Sequence, residues 1–457
     1  MPDAPTTLLI LGASGDLTRR LLLPGLGTLL REEPGRRVRV LGADRVEVSD
    51  EEWRTKVRDS LAEADVPPDL AEDVVAHARY LQTDLLEKDQ LQQLLAAAPD
   101  PLVLYFALPP SVTVKVCGLL EELRVREGTR LALEKPFGDS LETAQTLNRQ
   151  LLRVVPEGDV YRIDHFLGVN TILNLIGLRF ANRLLQPIWS AEHIEKVEIV
   201  YDESLALEGR AGYYDHAGAL MDMLQSHLLE VLAFFAIEAP ATMHAEEIRG
   251  LKAQALRAVH PWKHDPVAAS RRARYTTGEI EGRTVPDYVA EDGVDPERET
   301  ETLAQLTVQL DNLRWAGVPF VLRSGKAIGT QSKQVAVTFR QPAHVPLGLR
   351  DTPEPDRLVL QLKPGSISLD LSMNAEGDPF ELEQKELHAE LGKARMLPYG
   401  EVLGAILDGN PLLTIRGDEA EELWRIVEPV LDAWRAGDVP LEEYAAGSDG
   451  PQGWSLA

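Results

Sequence analysis

Hydrophobic positions fall into two textures along the chain. Up to about residue 160 they form short apolar runs separated by stretches of helical spacing. The run TTLLIL at 6–11 is continuous and ends at Gly12, the pattern of a strand buried on both faces. At 16–30, Leu17, Leu21, Leu22, Leu26 and Leu29 are spaced for one face of a helix. Apolar runs at 38–41, 102–108 and 129–134 predict three further strands, and Pro109 and Pro110 stop the middle one. Helical spacing at 51–62 and 111–123 lies between them. Strands alternating with helices predict a parallel, doubly wound sheet.

Beyond residue 160, strand-like runs at 194–201, 303–310, 334–339, 357–362 and 366–372 follow one another, with little helix between several of them. That succession predicts an antiparallel sheet. One long helical pattern, 217–237, sits inside this region. The expected fold is an α/β Rossmann-type coenzyme domain over 1–160, then an α+β domain with a large, mainly antiparallel sheet over 161–457. No internal repeat is visible. The acidic and proline-rich stretches at 351–356 and 447–453 read as solvated surface.

Charge narrows the candidates. There are 47 Lys+Arg against 73 Asp+Glu, a net charge of −26. A field of that sign disfavours nucleic acid, and an anionic substrate would need local basic residues. The single cysteine, Cys117, excludes a disulfide framework and any CxxC metal site. No bound metal is expected. The start MPDAPTTLLIL lacks a basic, then apolar, leader pattern, and no apolar run approaches the ~18–20 residues of a membrane helix. A cytoplasmic protein without a membrane partner is the expectation.

Candidate chemistry begins at Gly12-Ala13-Ser14-Gly15-Asp16-Leu17, between the first strand and first helix. Glycines permit a tight turn, and a helix N-terminus offers N–H groups to a pyrophosphate. The second strand ends in Gly42-Ala43-Asp44-Arg45, where the adenosine ribose of a dinucleotide belongs. An acid there favours NAD and an arginine favours NADP. Asp44 and Arg45 supply both, so NADP or NAD remains open. Lys135, in Glu134-Lys135-Pro136-Phe137-Gly138, stands at the carboxyl end of the fourth strand, where such sheets bind ligands. Asp164 and His165 are adjacent, and the long helix carries Asp222 and His227. A histidine held by a carboxylate suits a general base. Spacing leaves open whether Asp164 meets His227.

These residues resemble the glucose-6-phosphate dehydrogenase family along nearly the whole chain. The blocks are GASGDL (12–17), EKPFG (134–138), RIDHFLG (162–168), LRFAN (178–182), EGRAGYYD (208–215), DMLQSHLLE (222–230), TETLAQL (300–306), DNLRWAGVPFVLRSGK (311–326) and WRIVEPVL (424–431). The resemblance implies a homodimer or homotetramer and an oxidoreductase that moves hydride from C1 of a hexose phosphate to NAD(P), giving the 1,5-lactone, the first step of the pentose phosphate pathway. It implies His227 as general base, Asp164 as its orienting acid, and Lys135 on both sugar and coenzyme. It implies His165, Glu203, Asp222 and Lys326 as substrate ligands.

Departures from the family gather at one end of the substrate. A lysine usual in the first helix is Leu21. The tyrosine and lysine that grip the 6-phosphate are Phe166 and Val169, and a basic residue five positions after Lys326 is Gln331. The run Lys363-Pro364-Gly365-Ser366 replaces the family's Gln-Pro-Asn-Glu. Lys363, Lys333 or His165 are candidate compensators. The alternatives are an unphosphorylated or differently substituted sugar, and a non-catalytic paralogue.

Overall fold

Thr6–Leu11 forms an interior strand of a seven-stranded sheet, and Leu8 to Leu11 are at most 1% exposed. The computed structural model describes residues 5–209 and 211–454. Arg210, within EGRAGYYD, lies outside the described residues. The chain divides into two compact units. The first holds the chain up to Asn170 together with Pro240–Ala253 and Ala394–Glu422. The second holds Thr171–Ala239, Gln254–Lys393 and the chain from Leu423 onward.

In the first unit the strands run in the order Val160–Ile163, Arg130–Glu134, Leu102–Phe106, Thr6–Leu11, Val38–Asp44 and Arg79–Gln82, all parallel. Thr414–Ile415 adds an antiparallel edge. Strand order reverses between Thr6–Leu11 and Leu102–Phe106, which creates the crevice where doubly wound sheets bind ligands. Thr6–Leu11, Val38–Asp44, Leu102–Phe106 and Arg130–Glu134, with the helices Asp50–Glu63 and Pro110–Leu123, follow the apolar pattern closely, whereas Arg79–Gln82, Val160–Ile163 and Thr414–Ile415 are strands the pattern did not predict. Ser49 starts Asp50–Glu63 with a reciprocal capping bond to Glu52, a feature worth ~1 kcal/mol.

The first helix departs from the even pattern expected over 16–30. It opens as a wide π turn, Thr18–Leu22, and continues as the α-helix Leu23–Glu32. Pro24 sits in its first turn, where it cannot donate a hydrogen bond back into the preceding turn. Leu23–Glu32 packs against Pro398–Leu407, which comes from near the other end of the chain.

The second unit is built on ten strands. Their path is Leu382–Glu390, Ser366–Asn374, Arg357–Gln361, Ser332–Phe339, Ile194–Asp202, Phe320–Gly325, Leu303–Leu310, Ser270–Thr276 and Leu441–Ala445, with Val259–Pro261 beside Leu303–Leu310. Most pairs are antiparallel. Ile194–Asp202 with Phe320–Gly325, and Ser270–Thr276 with Leu441–Ala445, are parallel.

The long helix expected at 217–237 is three pieces. Ala211–Ala219 bends at Gly218, Leu220–Leu228 is wound as a π-helix, and Leu229–Ala236 returns to α. The span Ala211–Ala236 has 26 residues, and an 18-residue window within it has a mean hydropathy of 1.3, so by length and composition one helix does reach membrane-spanning size. Asp222, His227 and Glu230 interrupt it, so no unbroken apolar run of that length occurs. Burial decides its nature: 83% of its apolar window is buried inside the protein, as in a core helix.

Candidate active site

Two sets of side chains, one on each unit, carry the candidate chemistry. On the first unit the turn after Thr6–Leu11 is pulled against the neighbouring strands. Gly12 and Ala13 donate to the carbonyl of Ala43 at 2.8 and 3.2 Å, and Gly15 donates to that of Gly12 at 3.1 Å. Gly12 has φ +86°, and a Cβ there would stand 2.3 Å from the Ala107 carbonyl oxygen. Only glycine allows so close a closure at the switch point. Backbone packed this tightly, with a helix starting just beyond, fits the pyrophosphate of a nicotinamide dinucleotide.

Asp44 braces that turn. Its Oδ2 accepts the Ser14 hydroxyl at 2.6 Å, and its Oδ1 accepts the Arg45 N–H at 2.7 Å. Arg45 is exposed. Asp16 is exposed too and lies 3.9 Å from Arg20, a contact of little energetic weight. Leu17 turns inward onto the core of the first unit, away from a ligand role through its side chain.

Lys135 follows the strand Arg130–Glu134, and the Lys135–Pro136 peptide is cis. Beside it, Glu134 is half-buried. Tyr105 donates its hydroxyl to Glu134 in a short hydrogen bond, and Tyr399 donates at 3.4 Å. Burial pushes the Glu134 carboxyl up to about 7, while the two hydroxyl donors pull the other way. Burial together with the Glu134 charge raises both tyrosines. Asp164 is fully buried, and its Oδ1 accepts the Phe166 N–H at 2.9 Å, capping the short turn His165–Gly168. His165 stacks on Tyr399 with centroids 5.6 Å apart and planes 13° from parallel. Phe166 packs edge-on against the same imidazole at 5.3 Å.

On the second unit, Glu203 leaves the strand Ile194–Asp202 with its N–H on the Gly325 carbonyl at 2.8 Å. Its carboxylate lies between two ammonium groups, Lys326 at 3.2 Å and Lys333 at 3.5 Å. Lys326 also lies 5.1 Å over the Tyr214 ring, and Lys333 lies 4.7 Å over the Tyr201 ring. Gln331 gives its amide to the Ser204 hydroxyl at 2.6 Å, and Lys363 is exposed. Asp222 accepts the Tyr213 hydroxyl at 3.3 Å, and His227 is 2% exposed.

Asp222 and His227 lie five apart. In an α-helix that spacing turns them about 140° away from each other. In a helix closed by i→i+5 bonds, residues five apart return to nearly the same side. The wide winding of Leu220–Leu228 therefore faces the acid and the imidazole the same way.

Sequence reasoning missed Tyr105, Tyr399 and Tyr213. Tyr105 and Tyr399 lie in no spacing that announces them, and Tyr213, though inside EGRAGYYD, is recognised only by the acid it meets. Glu134 stood in view as the first residue of EKPFG, but its burial was not legible.

A switch-point turn built for a dinucleotide, joined to a sheet unit that carries a lysine-flanked acid and a buried helix histidine, defines a two-part nicotinamide-dependent oxidoreductase. Comparison with known proteins makes this particular. The sequence model described as "Glucose-6-phosphate dehydrogenase, NAD binding domain" matches residues 9–174, and that of the C-terminal domain matches residues 176–455. The glucose-6-phosphate 1-dehydrogenase of Gluconobacter oxydans is 39% identical, over 98% of this chain and 95% of its own. A solved glucose-6-phosphate dehydrogenase in complex with its substrate glucose-6-phosphate superposes with a TM-score of 0.88 at 28% identity, covering 99% of this chain and 96% of that one. The enzyme from Mycobacterium avium gives 0.84 at 30% identity, covering 98% and 95%. The chain belongs to the glucose-6-phosphate dehydrogenase family.

Proposed function

We propose that the protein oxidises C1 of glucose 6-phosphate to the 1,5-lactone with NADP or NAD as the acceptor. The observation that carries this reading is the Glu203–Lys326–Lys333 cluster. An acid that can hold sugar hydroxyls, with two cations beside it, suits a phosphorylated sugar on a chain of net charge −26. Gly12, Ala13, Ser14, Gly15 and Asp16 would hold the dinucleotide by its pyrophosphate, with Asp44 and Arg45 at its ribose. When bound, the nicotinamide supplies the acceptor for the hydride that leaves C1.

The chain's own residues do the rest. His227 takes the proton of the C1 hydroxyl on its imidazole and later releases it to water. Asp164 holds that imidazole in the tautomer with its free nitrogen toward the sugar and stabilises the cation that forms. Lys135 donates to sugar and coenzyme, and Glu203 and Asp222 accept from sugar hydroxyls. His165 and Lys326 serve as further substrate ligands.

One observation favours a second reading, oxidation of an unphosphorylated or differently substituted sugar. Phe166 is 7% exposed and Val169 follows it, so two apolar side chains stand where the family grips the phosphate. Burying an unpaired dianion is costly. Coenzyme reduction measured with glucose 6-phosphate beside glucose and other hexoses tests the proposal. Turnover restricted to the unphosphorylated sugars would transfer the assignment to the second reading.

The proposal includes an assembly of two or four copies in the cytoplasm. Met373 and Leu387, on the outermost strands of the large sheet, are 53% and 60% exposed, which supports a covered face. Light scattering of the purified protein reads the copy number.

A further inference from the structure

Glu301 stands at the bend of the helix that carries Asp222 and His227. Its Oε1 accepts the Leu220 N–H at 2.9 Å, and its backbone carbonyl accepts the Ala219 N–H at 3.3 Å. Leu220 opens the wide-wound segment Leu220–Leu228. The first N–H groups of a helix have no partner within it, and a side chain at the N-cap normally supplies one. Here the N-cap is Ala219, whose methyl cannot accept a hydrogen bond. The acceptor comes instead from a residue 81 positions away in sequence.

The bend is shaped around this acid. Gly218 has φ +63° and ψ 178°, and a Cβ there would fall 2.3 Å from Glu301 Oε1. The helix before the bend then reaches back across it, where Tyr213 donates its hydroxyl to Asp222 at 3.3 Å. Glu301 is 7% exposed. Burial pushes its carboxyl up to about 7, against the pull of the Leu220 N–H and Arg272. In either protonation state Oε1 remains an acceptor.

We propose that Glu301 is a positioning residue for the sugar. By capping Leu220 it fixes the bend at Gly218 and so places Asp222 against Tyr213. The proposal rests on the reading of Asp222 as a ligand of the sugar hydroxyls.

The test compares Glu301→Ala, Glu301→Gln and Gly218→Ala in the full chain, by steady-state kinetics and by amide hydrogen exchange over residues 219–224. Glu301→Ala is expected to raise KM for the sugar ~10-fold, about one hydrogen bond's worth, and to speed exchange in that segment. KM for the coenzyme should stay unchanged. Glu301→Gln keeps an oxygen acceptor and should restore both readouts to near those of the unmodified protein. Gly218→Ala pushes the carboxylate from the other side and should reproduce the Glu301→Ala result. A sugar KM that does not move in folded Glu301→Ala, a parallel rise in coenzyme KM, or failure of Glu301→Gln to rescue would each overturn the proposal. Absence of sugar turnover in the unmodified protein would instead count against the functional reading, and the exchange of 219–224 would still test the cap.

Discussion

The ring of Tyr399 lies nearly parallel to the imidazole of His165, 5.6 Å away, while its hydroxyl reaches Glu134 at 3.4 Å. One tyrosine from the helix Pro398–Leu407 thus touches a candidate substrate ligand with its face and a half-buried acid with its hydroxyl. Tyr399→Ala removes both contacts and is expected to raise KM for the sugar ~10-fold, whereas Tyr399→Phe keeps the stack and should cost much less. Equal losses in the two variants would mean that the hydroxyl, not the stack, holds His165.

Glu134 makes stability depend on pH with a definite sign. Its carboxyl titrates near 7 when folded, against 4.5 as the ordinary value. The folded state therefore holds a proton that the unfolded state releases. This contribution is fully present below about pH 4.5 and is lost as pH rises through 7. Glu134→Gln has nothing to lose. Relative to the unmodified protein it should gain up to about 3 kcal/mol between pH 5 and 8. Thermal melts of both proteins across that range check it, and a constant difference in Tm would contradict the assignment.

At the coenzyme end, Asp44 is committed to Ser14 and the Arg45 N–H, while the Arg45 side chain is exposed. Arg45→Ala should lower kcat/KM with NADP at least ~10-fold and leave NAD nearly unaffected, because only NADP offers a 2′-phosphate to pair. Equal losses with both coenzymes would remove Arg45 as the reader of that phosphate.

Four strands of the first unit, Thr6–Leu11, Val38–Asp44, Leu102–Phe106 and Arg130–Glu134, were legible as short apolar runs; Arg79–Gln82, Val160–Ile163 and Thr414–Ile415 were not, being only two to four residues long with polar residues or no pattern to mark them. The wide winding of Leu220–Leu228 was not, since an apolar run reads alike whether its bonds close at four residues or five. Nor was the return of Pro398–Leu407 to Leu23–Glu32, because a contact made so late in the chain leaves no periodic trace. The parallel pairing of Phe320–Gly325 with Ile194–Asp202 was hidden for the same reason: more than a hundred residues separate the two strands. Among the candidate residues, Lys135, Asp164, His165, Asp222 and His227 stand in recognisable motifs. Tyr399, Tyr213 and Glu301 matter through the partners that folding brings them.

Lys333 is a candidate compensator for the lost phosphate cations. Its ammonium shares Glu203 with Lys326, two positions beyond the Gln331 that replaces a family cation. Lys333→Met should raise KM for glucose 6-phosphate at least ~10-fold with little effect on an unphosphorylated sugar. The paired change Phe166→Tyr with Val169→Lys should lower that KM. Identical effects on both sugars would show that Lys333 serves only to hold Glu203.

His227→Asn tests the account most directly. The side chain is 2% exposed, inside the helix segment that also presents Asp222. Asparagine keeps polarity and approximate size but cannot take the C1 proton. With glucose 6-phosphate and saturating coenzyme, kcat should fall at least ~10³-fold while equilibrium binding of sugar and coenzyme stays within a few-fold of the unmodified protein. A variant that binds both ligands and retains near-normal kcat would contradict the assignment of His227 as the base, and with it the chemistry proposed for this site.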